Sequence, residues 1–357
     1  MLPLSSCNSL IPVAPRQPAC PGKVRFLQNR NQRCPEPAAG AGSTSGPSTR
    51  LLSGAWGLIT PTVLLCLLLF SAGCRNQHKT VGPVYGNKAP AGPSTVLHFA
   101  VHPLYNPAKM ITAYQPLMDY LNKRMNGIQF ILEASRDYQR YEKKIEARQP
   151  EILLPNPLQT IKAMKAGYRV IAFAGDPADF KGLFIVRKDG GIRVPGDLRG
   201  KAVSYPSPTA LAACIMPEYY LHIHGIDVKT EIKSLFVGSQ ESSIMNVYLK
   251  KTAAGATWPP PWRTFQKDHP AESAELEAIW ETRSLISNSV MIRNDIPGEI
   301  GKQLQDQLST LSATEEGRKV LSGMETLYFK AATDADYSIV ETYIRRFEKE
   351  VHKIESL

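Results

Sequence analysis

Cysteine is the first scarcity in this 357-residue chain: there are six, and Cys7, Cys20, Cys34 and Cys66 all precede residue 74. Only Cys74 and Cys214 remain, and with Cys74 modified no intramolecular disulfide can form, so the body must rely on its core. Cys214, set among alanines, reads as a small buried apolar residue. Also missing are a Gly-x-Ser-x-Gly elbow, a Cys-x-x-Cys pair, a Walker A loop and a His-Glu-x-x-His helix. Those absences argue against an enzyme, and catalytic residues are not expected. His98 and His102, four apart, have no carboxylate or cysteine at ligand spacing beside them, so no metal site is expected. There is no internal repeat and no heptad pattern. Long apolar runs are missing too: the uninterrupted stretch Val63 to Phe70 falls well short of the ~20 residues that span a bilayer.

Three zones precede the body. Residues 1–50, rich in Pro, Ser, Gly and Arg without apolar periodicity, read as a disordered extension or an over-extended start. Residues 51–73, with a short apolar run and small residues before a cysteine, read as a signal peptide. The ending "FSAGC" resembles the lipobox of bacterial lipoproteins, departing from it at Ser71. The resemblance implies lipidation of Cys74, a membrane-anchored periplasmic lipoprotein, and a flexible tether over 74–94. Residues 1–73 hold Arg16, Lys23, Arg25, Arg30, Arg33 and Arg50 against Glu36; removing them lowers the formal charge from +10 to +5. That balance suits an anionic ligand and is too diffuse for nucleic acid.

From residue 95 short β-rich runs ("VLHFAV", "IQFILEA", "EILLP", "YRVIAFAG") alternate with helical stretches, the pattern of an α/β fold with mainly parallel sheets. A second such set runs from "GLFIVRKD" to "AAGATW", and "LISNSVMIRNDIP" returns to the first. The expected organisation is two lobes, 95–184 with 289–357 and 185–288, joined by a two-strand hinge. "ATWPPPWRTF" reads as a proline-stiffened turn or an aromatic lid, with Arg263 available to an oxyanion.

Several strand-to-helix junctions share one chemistry. Asn106-Pro107, Asn156-Pro157 and Ser207-Pro208 each set an N-cap residue before proline, and Gly238-Ser239 opens a fourth helix. In open α/β sheets ligands bind beyond the carboxyl ends of the strands, where such entrances gather, and helix N–H groups there suit a small anion. In "SYPSPTALAAC", Ser204, Ser207 and Thr209 supply hydroxyls beside one entrance, with Ser207 as its expected N-cap.

The blocks "YNPAKMITAYQPLMDYLNKRM", "EILLPNPLQTI", "GLFIVRKDGGIRVPGDLRGKAVSYPSPTALAA" and "SLFVGSQESSIMNVYLKK" resemble, in order and spacing, the phosphate/phosphite/phosphonate-binding proteins of ABC transporters, the PhnD-like family. The resemblance implies a type II periplasmic-binding-protein fold, closing on a phosphorus oxyanion for uptake through permease subunits, with no cofactor. It points to Ser207 and Thr209 at the helix mouth, Asn156 in the strand-end turn and Tyr105 in the first cleft loop. Where the family commonly shows Ser-His-Asp, this chain has Ser239, Gln240 and Glu241, and Trp258 stands at a position usually held by tyrosine. Those departures leave the identity of the oxyanion open. A module presenting a small anion to a membrane sensor is the alternative use of the same cleft.

Overall fold

The computed structural model describes residues 95–354; the extension, signal peptide, tether and Cys74 readings lie outside them. Two sheets organise the chain. The first runs in the order β11-β4-β10-β3-β1-β2, the second β7-β6-β8-β5-β9. In the first, β1 (Thr95–Val101) pairs in parallel with β2 (Ile128–Ala134) and β3 (Ile152–Leu154), while β10 (Ser289–Arg293) runs antiparallel between β3 and β4 (Tyr168–Ala174), and β11 (Phe329–Ala331) closes that edge antiparallel to β4. In the second, β6 (Ala202–Tyr205) is parallel to β7 (Lys233–Phe236) and β8 (Ala254–Thr257), and β5 (Leu183–Arg187) runs antiparallel between β8 and β9 (Leu276–Glu281). Most strands of each sheet therefore point one way; β10 and β5 are reversed strands inserted where the chain arrives from the other lobe, and β11 is a second reversed strand at the edge of the first sheet.

That exchange makes the two crossings neighbours. The segment from β4 to β5 and the segment from β9 to β10 bond to each other: Thr282 N–H donates to Gly182 O at 2.9 Å and Leu285 N–H to Phe180 O at 3.0 Å. Gly182 N–H donates to Thr282 Oγ1 at 2.9 Å. The boundary expected at residue 185 falls inside β5, which already belongs to the second sheet at Leu183.

The helices follow the sequence pattern closely. In the first lobe they are α1 (Pro107–Asn122), α2 (Tyr138–Glu146) and α3 (Pro157–Lys165). The second lobe carries α4 (Met216–Ile223), entered through a π-helical turn at Leu211–Ile215, then α5 (Gln240–Tyr248), α6 (Pro259–Asp268) and α7 (Pro270–Ala274). After the return come α8 (Gly298–Thr310), α9 (Glu315–Gly323) and α10 (Ser338–Glu350). Phe99, Val101, Tyr141, Val290 and Phe347 belong to the large core under the first sheet, which also takes in Leu211, Ile215 and Trp258 from the second lobe. Phe184, Val203, Cys214 and Ala256 belong to the core of the second sheet.

Two local expectations are corrected. "PPPWRTF" is not a turn: it opens α6, because prolines in the first helical turn lack only N–H groups that have no intrahelical partner there. Ser207 is not an N-cap. The helix begins four residues later, with Ala210 before it, and Ser207 instead holds a turn: its carbonyl accepts from Ala210 N–H at 3.1 Å and its Oγ from Thr209 N–H at 3.3 Å.

Candidate ligand-binding crevice

Three strand ends of the first lobe supply one wall. Just past β1, His102 is 2% exposed, and its Nδ1 lies 2.9 Å from Leu154 O. A carbonyl can only accept, so that nitrogen carries the proton. Burial holds the ring well below the ordinary histidine range, at about 4, against the opposing pull of the Leu154 carbonyl. Past β3, Asn156 caps α3 with a reciprocal box: its Oδ1 accepts from Gln159 N–H at 3.0 Å, and Gln159 Oε1 accepts from Asn156 N–H at 3.2 Å. With its oxygen so used, Asn156 donates Nδ2–H to Thr209 O in the second lobe at 3.1 Å. Tyr138, the first residue of α2, meets the His102 ring edge-on at 6.3 Å. Burial raises its hydroxyl pKa far above the ordinary tyrosine value, so it stays protonated.

The second lobe supplies the facing wall. Ile215 N–H reaches back five residues to Ala210 O at 3.3 Å, the wide spacing of a π-turn. The first N–H groups of this entrance, at Leu211, Ala212 and Ala213, have no preceding turn to accept them. Alanine side chains leave that backbone open to close approach. At the start of α5, Ser239 Oγ accepts from Ser242 N–H at 3.1 Å, a working N-cap. Beside it, Gln240 Oε1 accepts from Thr257 Oγ1 at 2.9 Å, and its Nε2 lies 3.4 Å from Tyr138 OH in the other lobe. Trp258 packs on Phe180 of the crossing with ring centres 5.5 Å apart.

These walls nearly meet. His102, Tyr138, Asn156, Ala210–Ala213, Gln240, Trp258 and Asn288 line a crevice of about 10 Å³, space for about one water molecule. No lining side chain is an acid, a lysine or an arginine. Asn288 is 4% exposed and its Oδ1 is buried without a hydrogen-bond partner, an arrangement costly in a closed protein interior unless a ligand answers it.

Of the residues singled out in the sequence, the structure brings Asn156, Gln240 and Trp258 to this crevice, with Thr209 one bond behind it through its carbonyl. Ser207 stands behind Thr209, their hydroxyls 3.1 Å apart. Ser239 caps α5 next to Gln240 without lining the crevice. Ser204 does not line it: its Oγ donates to Ser243 O at 2.8 Å, tying β6 to α5 beneath the site. Tyr105 points elsewhere, with its hydroxyl 3.1 Å from Thr264 Oγ1 on α6 and its pKa pushed up to about 12 by burial. Arg263 is likewise occupied, donating to Asp179 at 3.0 Å and Glu325 at 3.1 Å. With Lys267 on Glu325 and Lys109 on Asp268, these contacts form a clasp between α6 and the first lobe. Sequence reasoning missed His102, Tyr138, Phe180 and Asn288. Asp137 before Tyr138 is an N-cap like the others and could have revealed that entrance; the remaining three sit at strand ends or crossings that carry no local signature.

Two α/β lobes joined by paired crossings and closed on a polar crevice define a solute-binding protein of the type II periplasmic class. The chain belongs to the family of ABC transporter phosphonate periplasmic substrate-binding proteins, whose model matches residues 99–337; the family consists of binding proteins, not enzymes. A probable ABC transporter phosphite binding protein, PhnD1, of Prochlorococcus marinus is 24% identical over 193 residues, covering 50% of this chain and 65% of that relative, a little under two thirds of its length. Among solved structures, the binding component of an ABC phosphonate transporter from Pseudomonas aeruginosa superposes with a TM-score of 0.67 at 17% identity, covering 72% of this chain and 88% of that one. PhnD1 of Prochlorococcus marinus in complex with methylphosphonate does so with a TM-score of 0.65 at 20% identity, over 71% and 99%.

Proposed function

We propose that this protein captures a small phosphorus oxyanion, such as phosphite, phosphate or a simple phosphonate, between its lobes and delivers it to the permease of an ABC importer. The observation that carries this reading is the crevice itself: residues 210–213 at the mouth of the π-turn and neutral polar side chains from the other lobe line it together, with no fixed negative charge among the lining residues. Helix N-termini and neutral donors are a common means of holding an oxyanion without a cation. In this scheme Thr209 and Ser207 add hydroxyl donors once the lobes part, Asn156, Gln240 and Tyr138 supply further donors, and Trp258 covers the ligand. The two lobes rock about the paired crossings, and the clasp at α6 holds them shut. Cys74 is lipidated, and the mature chain is tethered through 74–94 to the membrane.

Isothermal titration of the protein with phosphite, methylphosphonate and phosphate tests the ligand class. Saturable heat with at least one is expected; none with any of the three, alongside tight binding of an amino acid, overturns the reading. For the anchor, Cys74→Ser is expected to move the protein from the membrane to the soluble fraction.

A further inference from the structure

The crevice contains acceptors as well as donors, and an oxyanion has no use for an acceptor unless it brings a proton. His102 is the first. Its Nδ1–H is committed to Leu154 O at 2.9 Å, so the neutral ring must present Nε2 as a lone pair, and that nitrogen makes no hydrogen bond within the described residues. Asn288 is the second, a lining residue whose Oδ1 is buried and unpartnered, and a single P–O–H can serve only one of the two acceptors. The charge balance points the same way. No cationic side chain lines the site, and two negative charges brought into a desolvated pocket would be met only by partial charges from helix N–H groups and neutral amides. Resting on the oxyanion reading above, we propose that the site selects the singly ionised, proton-bearing form of its ligand, whose P–O–H donates to the Nε2 of His102 while its other oxygens take the N–H groups of Leu211, Ala212 and Ala213. His102 is thereby a specificity-determining residue: it rejects the doubly ionised form, which would set an oxygen lone pair against a nitrogen lone pair.

The other groups facing His102 do not titrate in the useful range. Tyr138 is held protonated by burial, Asn156, Gln240 and Asn288 are amides, and His102 itself stays neutral above about pH 4. Between neutral pH and pH 9 the lining of the site therefore keeps one charge state while the ligand changes its own.

The test is the dissociation constant of the protein for phosphite, and separately for methylphosphonate, measured by titration calorimetry at half-unit steps from pH 6 to 9 at fixed ionic strength. Affinity should follow the singly ionised fraction of each ligand, weakening tenfold per pH unit above its own second pKa. His102→Asn, whose shorter amide can still donate to Leu154 O but withdraws the acceptor, should weaken binding at pH 6 by tenfold or more and flatten the profile. His102→Gln, which extends an amide oxygen to the Nε2 position, should restore part of both. Affinity that stays level or tightens as the ligand loses its second proton overturns the selection and leaves the oxyanion reading standing. Absence of binding by both ligands and by phosphate at every pH, alongside tight binding of an amino acid, overturns both.

Discussion

Because His102 is buried neutral, the fold should carry a built-in sensitivity to acid. In the unfolded chain the imidazole takes a proton near pH 6.5, whereas in the fold desolvation delays this to about 4. The native pKa is the depressed one, so the unfolded state binds more protons between these values, and stability must fall as pH drops through that window. Above pH 7 the ring is neutral in both states and contributes no slope. The gap of about 2.5 units corresponds to about 3 kcal/mol once both states are protonated, and to about 2 kcal/mol already at pH 5. That is a sizeable part of the 5–15 kcal/mol typical of a folded protein. Acid acts on the rest of the fold as well, so the assay must be differential: urea unfolding of the protein and of His102→Asn at pH 7.5, 6 and 5. The substitution should cost stability at pH 7.5 but lessen the acid slope, so that the gap between the two proteins closes by about 2 kcal/mol at pH 5. Parallel curves would refute the reasoning, since they would mean that His102 gains its proton as easily in the fold as out of it.

Three further outcomes follow from named contacts. Thr209→Val keeps the shape but removes a hydroxyl that contacts Ser207 Oγ at 3.1 Å, so stability should fall by about 0.5–1.5 kcal/mol. Calorimetry should show tenfold to hundredfold weaker binding, the value of about 1.5–3 kcal/mol for a hydrogen bond to a charged group, whereas unchanged affinity would mean that the hydroxyl does not reach the anion. Gly182→Ala would place a Cβ 2.5 Å from Ala212 O and 2.8 Å from the Pro217 ring, so the crossing and the helix mouth must move apart. Unfolding should show a loss of about 1–3 kcal/mol, and wild-type stability with wild-type affinity would contradict the packing. Glu325→Gln strips the charge that Arg263 and Lys267 share. Since partly exposed pairs contribute about 0.2–1 kcal/mol each and are screened by salt, ligand affinity should fall a few-fold at low salt and depend less on added salt than in the unaltered protein.

What was legible in the sequence was short-range. Apolar alternation at periods two and 3.6 marked both α/β sets and the returning strand, and Asn106, Asn156 and Ser239 declared themselves as caps because a cap bonds within three residues of itself. The block order was enough to indicate the family. The same locality misled at Ser207 and at the three prolines: a hydroxyl before proline looks alike in a turn and at a helix mouth, and a proline run looks alike in a loop and in a first helical turn. Only the tertiary structure decided which entrances meet. Tyr105 and Ser204 carry suitable groups, yet one is spent on Thr264 and the other on Ser243. His102 and Asn288 matter because β1 and β10 flank β3 in one sheet and run in opposite senses, which puts the end of β1 and the start of β10 at the same end of that sheet. The direction in which His102 offers its lone pair was settled by a single carbonyl, Leu154 O, from the neighbouring strand. A tautomer is set by whatever lies opposite in space, and no pattern along the chain records that.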